Sequence, residues 1–170
     1  LLGDEQSGHI REVGIELYQQ MLESAVSEAK VSSDEGNLDH DQWVPQIDAG
    51  IPVLIPSEYI PDLALRMVLY RRIACLLDRS EIDSFAAELI DRFGKLPQEV
   101  ENLLSIVDIK RLCRVAGIEK LEAGPKGATI SFRNNDFVNP VGLIEFISNQ
   151  SGTAKLRPNH QLVFKRSWEE

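Results

Sequence analysis

Basic charge, cysteine and aromatic residues are all in short supply. Of 170 residues, 18 are Lys or Arg against 27 Asp or Glu, a formal net charge of −9. A nucleic-acid backbone is bound through counterion release to basic side chains, so this balance argues against DNA binding by the chain as a whole. Aromatics make up 6%, which is thin for the stacking platforms of single-strand binders. The two cysteines, Cys75 and Cys113, each fall in a helical apolar pattern and are expected as reduced core thiols of a cytosolic protein. No apolar run reaches the roughly 20 residues that span a bilayer. No basic segment leads into an apolar one, so nothing suggests secretion or a membrane. His9, His40 and His160 share no ligand spacing with the cysteines, so no metal site is expected. Ser7 lacks the strand and base of a nucleophile elbow, and no carboxylate pair is assignable, which leaves no catalytic residue. No Gly-x-x-x-x-Gly-Lys-Ser/Thr segment is present. Gly124-Pro125-Lys126-Gly127 has the wrong spacing and no hydroxyl, and its proline removes an amide, so it reads as a hairpin turn.

What is present is an ordinary apolar fraction, 43%, enough for a sizeable core. Charge is uneven: residues 1–65 hold 13 acids against 2 bases, and residues 66–170 hold 14 acids against 16 bases. Arg66, Arg71 and Arg72 could form a local basic patch, with a solvated helix face as the simpler reading. Ile10, Val13, Leu17, Met21, Leu22 and Ala25 recur at helical spacing. Residues 31–42 are polar and acidic, the composition of a flexible linker. Residues 43–55 alternate apolar residues with Pro45 and Pro52, which suits an edge strand.

Pro61 suits a first helical position, and Leu63, Met67, Tyr70, Ala74 and Leu77 form one stripe. Ser80 with Asp83 resembles a capping box. The next helix carries Ile82, Phe85, Ala86, Leu89, Ile90 and Phe93 on one face, and Gly94 ends it. Leu96-Pro97 opens the longest helix, which runs to about Ala116 and would span roughly 30 Å. Strands are expected at 118–122 and 128–133, then at 154–157 and 161–165, with a short helix from Asn139-Pro140 between the two hairpins. The sum is an α+β fold, with helices including one long central helix packed on a small, mostly antiparallel sheet.

Leu1-Leu2-Gly3-Asp4-Glu5-Gln6-Ser7-Gly8 resembles the end of the translocation motif of RecG-type helicases and of the transcription-repair coupling factors (Mfd). Pro61–Ile73, Glu88–Pro97 and Gly117–Glu122 resemble the C-terminal domain of the latter family. The resemblance implies three segments: a motif tail with its connecting helix over 1–30, the linker over 31–42, and an α+β regulatory domain over 43–170. It implies a parent that uses ATP and Mg to translocate on double-stranded DNA in the bacterial cytoplasm, acting on RNA polymerase and recruiting UvrA. This fragment, lacking the motor, would be no enzyme and would hold no cofactor. Gly3, Gln6, Ser7 and Gly8 would belong to the coupling loop.

Glu81, Ser84, Glu88 and Asp91 lie opposite the apolar stripe of their helix. Composition alone makes this a solvated face. The resemblance makes it a docking face for the parent's N-terminal UvrB-like domain, covering the UvrA-recruiting surface at rest. The rival reading is a nucleic-acid-binding module of a repair helicase.

Overall fold

The computed structural model describes residues 43–150 and 152–166. They form two compact units: one spans residues 51–108, the other residues 43–50 and 109–166. Together they hold four α-helices and one five-stranded mixed sheet, an α+β fold.

The first unit contains α1 (Leu63–Ala74), α2 (Arg79–Phe93) and the first half of α3 (Gln98–Ala116). Asp62 caps α1 by accepting from the Leu65 amide at 3.1 Å. Pro61 therefore precedes the cap instead of opening the helix. The inward face of α1 also differs from the expected stripe. Leu69, Tyr70 and Ile73 are buried, whereas Leu63 and Leu77 are 59% and 69% exposed. The deciding contact is long-range: the buried Tyr70 hydroxyl accepts from the Ile55 amide at 2.7 Å, which turns that side of α1 inward. Cys75, expected in the core, forms the C-cap of α1 and is exposed, while Cys113 is buried; both thiols are free.

Helix α2 starts earlier than Ser80–Asp83 suggested. Asp78 is the N-cap and accepts from the Glu81 amide at 2.9 Å, while the Glu81 carboxylate accepts from the Leu77 amide at 2.6 Å. Two amides that have no partner within the helix are thereby satisfied. Ile82, Phe85 and Leu89 are buried along α2; Ile90, expected on the same stripe, is 50% exposed. Gly94, at φ +86°, ends the helix as its sequence position suggested.

The second unit is a sheet with strand order β1-β2-β3-β5-β4. Its strands are β1 (Gln46–Asp48), β2 (Ile118–Gly124), β3 (Gly127–Phe132), β4 (Ala154–Leu156) and β5 (Leu162–Lys165). β1 pairs with β2 in parallel, and every other pairing is antiparallel. The expected 43–55 strand is thus only three residues long. Asp48 turns back to accept from the Gly50 amide at 3.3 Å, and Gly50 adopts a left-handed φ of +60°. That conformation breaks the ladder. Gly117, at φ +67°, stops α3 and leads into β2. Helix α4 (Pro140–Asn149) is capped by Asn139, which accepts from the Gly142 amide at 3.0 Å. Its Leu143 and Ile147 pack with Ile118, Ile130 and Phe164 around buried Phe132, Ala154 and Leu162.

Candidate docking site

The site expected on α2 is built within the first unit. Its centre is Glu88. Both terminal nitrogens of Arg72, Nη1 and Nη2, donate to this carboxylate, at 2.8 and 2.6 Å, and Arg92 donates a third bond at 2.9 Å. The two arginines are themselves held in place. Arg72 lies 4.9 Å above the Phe85 ring, and Arg92 lies 4.9 Å above Phe93. Arg72, forked onto the carboxylate and stacked on a ring, loses little further freedom, while Arg92 adds a single bond from the same helix. The cluster therefore pins α1 to α2 and carries a local charge of +1.

The arginines hold the Glu88 carboxyl at a pKa of about 2, below its ordinary 4.5. A folded-state value lowered in this way makes a stabilising contribution that is complete above the unfolded value. It fades as pH falls from about 4.5 towards 2. A carboxyl-carbon NMR titration of Glu88 is expected to find its midpoint near 2. Arg72→Met should move that midpoint upward. A wild-type midpoint at the ordinary value would show that the cluster does not persist in solution.

The four expected docking residues therefore divide. Glu81 is committed to the helix cap, and Glu88 to two arginines. Ser84 and Asp91 are exposed, and Asp91 has no ion-pair partner among the described residues. Glu88 keeps acceptor capacity, because two carboxylate oxygens offer about four lone-pair directions and three donors occupy them. The face thus offers one open carboxylate, one oriented and partly used carboxylate, and a basic edge.

Two of the residues that shape the site were not assigned to it from sequence. Glu88–Arg92 is an i,i+4 pair and was legible as such. Arg72 shares its sequence neighbourhood with Arg66 and Arg71, and the fold separates the three. Arg66 donates to the carbonyls of Ile60 and Pro61 at 2.6 and 3.1 Å, Arg72 binds Glu88, and Arg71 remains exposed. Gly3, Gln6, Ser7 and Gly8, like the 31–42 linker, lie outside the described residues. Gly124-Pro125-Lys126-Gly127 is a hairpin turn, with Gly124 paired to Gly127. Among the described residues no group of three or more His, Cys, Asp or Glu could hold a metal, and no helix is long and apolar enough to cross a membrane.

Comparison with known proteins bears on this architecture. The TRCF domain family matches residues 49–143. A transcription-repair-coupling factor of Rickettsia typhi is 46% identical over 165 residues, covering 96% of this chain and 14% of that protein. The factor of Escherichia coli K12 is 35% identical over 170 residues, covering all of this chain and 15% of its own length. The chain thus spans about one seventh of these relatives. Among solved structures, the C-terminal domain of a transcription-repair coupling factor superposes with a TM-score of 0.59 at 20% identity. The match covers 75% of this chain and 82% of that one, a likeness of fold.

Proposed function

The chain belongs to the transcription-repair-coupling factor family, and from that premise we propose that it is a regulatory docking domain of an ATP-dependent DNA translocase in transcription-coupled repair. At rest it covers the UvrA-recruiting surface of the parent's N-terminal UvrB-like domain. The parent hydrolyses ATP with Mg, moves on double-stranded DNA in the bacterial cytoplasm and acts on stalled RNA polymerase. This part contributes no catalytic group and no cofactor site. Its Gly3, Gln6, Ser7 and Gly8 belong to the motor's coupling loop.

The observation that carries the reading is the α2 face, where Asp91 is open and Glu88 is held ready by Arg72 and Arg92. Basic side chains on a facing domain can take Asp91 fully and Glu88 in part. Such a polar patch is weak alone. A covalent tether raises the effective concentration, so modest contacts suffice, and a change in the motor can release them.

Asp91→Lys in the full-length parent tests this directly, because Asp91 supports no bond inside the described structure. A like-charge contact at a docked interface costs several kcal/mol. UvrA capture in the absence of polymerase should therefore rise by about tenfold or more, with the melting temperature of this domain unchanged. Unchanged capture would reduce Asp91 to ordinary surface. Glu88→Lys should act in the same direction but also lower domain stability, since it sets a third cation beside Arg72 and Arg92.

A further inference from the structure

We propose that Tyr59 is the positioning residue of the docking face: its hydroxyl clamps the last turn of α2, which fixes Asp91 and the Arg92 that holds Glu88. Tyr59 thereby serves the α2 face described above, and its role rests on the docking reading of that face.

The clamp grows out of residues 51–60, which precede α1 in the helical unit. Val53, Ile55 and Ile60 are buried there, and long-range bonds tie the stretch to three helices. Ile55 donates its amide to Tyr70 of α1 at 2.7 Å, Pro52 accepts from the Asn102 amide group of α3 at 3.0 Å, and Tyr59 donates to α2. The backbone that carries Tyr59 is itself held in a turn. The Tyr59 and Ile60 amides both donate to the Pro56 carbonyl, at 3.2 and 3.0 Å.

The Tyr59 hydroxyl donates to the Leu89 carbonyl at 3.1 Å and to the Gly94 carbonyl at 3.0 Å. A single proton serves both acceptors as a three-centre bond, an arrangement common at helix ends. The two acceptors bracket residues 90–93, the last turn of α2, which contains Asp91 and Arg92. Carbonyls at a helix end lack an intrahelical donor, and such ends fray first. Burial raises the Tyr59 pKa above its ordinary 10.0, so the hydroxyl keeps its proton at neutral pH.

The ring braces the same turn from the side. It meets Phe93 edge-on, with centroids 6.0 Å apart, and Arg92 stacks over Phe93 at 4.9 Å. Arg92 in turn donates to Glu88, four residues back on the same helix. That bond depends on the turn between them staying helical. Loosening the end of α2 therefore frees Asp91 and takes one of two arginines from Glu88, while the Arg72 fork remains.

Tyr59→Phe removes the hydroxyl and keeps the ring. In the isolated chain it should move the Glu88 carboxyl-carbon titration midpoint upward from about 2. It should also reduce hydrogen-exchange protection of the Gly94 amide, which donates to Ile90, by about threefold or more, the worth of one hydrogen bond. Asn102→Ala is the control. It cuts the Pro52 bond on the α3 side, so it should lower the melting temperature and leave the Glu88 midpoint and Gly94 protection in place. In the full-length parent, Tyr59→Phe should raise UvrA capture without polymerase by about threefold. An unmoved Glu88 midpoint or unchanged Gly94 protection in Tyr59→Phe, or the same movements in Asn102→Ala, would overturn the proposal and leave the docking reading intact. So would unchanged capture in Tyr59→Phe beside raised capture in Asp91→Lys. If neither variant raises capture, the docking reading itself fails, and the positioning role of Tyr59 falls with it.

Discussion

Gly127→Ala is expected to destabilise the sheet unit by about 3 kcal/mol or more, the range of strained-backbone and overpacking substitutions combined. Gly127 has φ +136°, a conformation L side chains rarely adopt. It opens β3 opposite Lys165 of β5. A β-carbon there would run into the Phe164 carbonyl oxygen and lie 2.9 Å from the Lys165 α-carbon. Both obstacles are backbone, so no side-chain rotation relieves the clash, and β3 would have to part from β5. Gly124, its partner across the turn, is the control. Its added β-carbon would meet nothing within 4 Å, so Gly124→Ala should shift stability by about 1 kcal/mol at most. Urea unfolding of the two variants gives the comparison. Equal midpoints would mean that the β3–β5 register is wrong.

The second large effect is expected at Leu89, which is 0% exposed on α2. Leu89→Ala removes three buried carbons and leaves a cavity, a loss of about 2–5 kcal/mol. Ile90, the next residue, is 50% exposed; Ile90→Ala should cost roughly 1 kcal/mol or less. The contrast tests the rotation of α2, and with it the direction in which Glu88 and Asp91 point. Similar losses at both positions would place α2 in a different rotation and remove the geometric basis of the docking site. In the full-length parent, Leu89→Ala should also raise UvrA capture, because a loosened α2 presents Asp91 poorly.

Much of α2 was legible from sequence. Ile82, Phe85 and Leu89 recur with helical period, and Gly94 permits the left-handed residue that ends the helix. The hairpins were legible for a similar reason: Gly124 to Gly127 combine turn-forming residues between strand-forming runs. The inward face of α1 was not, because Leu63, Met67 and Leu77 compete with Leu69 and Ile73 for it. Periodicity has no preference among such stripes. Tyr70 settles the matter by reaching Ile55, 15 residues away. The docking carboxylates divide along the same line. Their common helix and the Glu88–Arg92 pair follow from spacing alone. The Arg72–Glu88 fork joins residues 16 apart on different helices.

Among the described residues, then, the sequence by itself determined the order and kind of the helices and strands, the caps that Gly94 and Asn139 provide, and the acidic pattern on α2. These depend on local backbone preference and on period, which each segment carries within itself. Tertiary structure decided which apolar stripe of α1 faces inward and that Arg72, 16 residues away, joins Arg92 on Glu88. Each of those outcomes is a competition between partners distant in sequence. It is resolved only when packing brings one pair within hydrogen-bond reach and leaves the others in water.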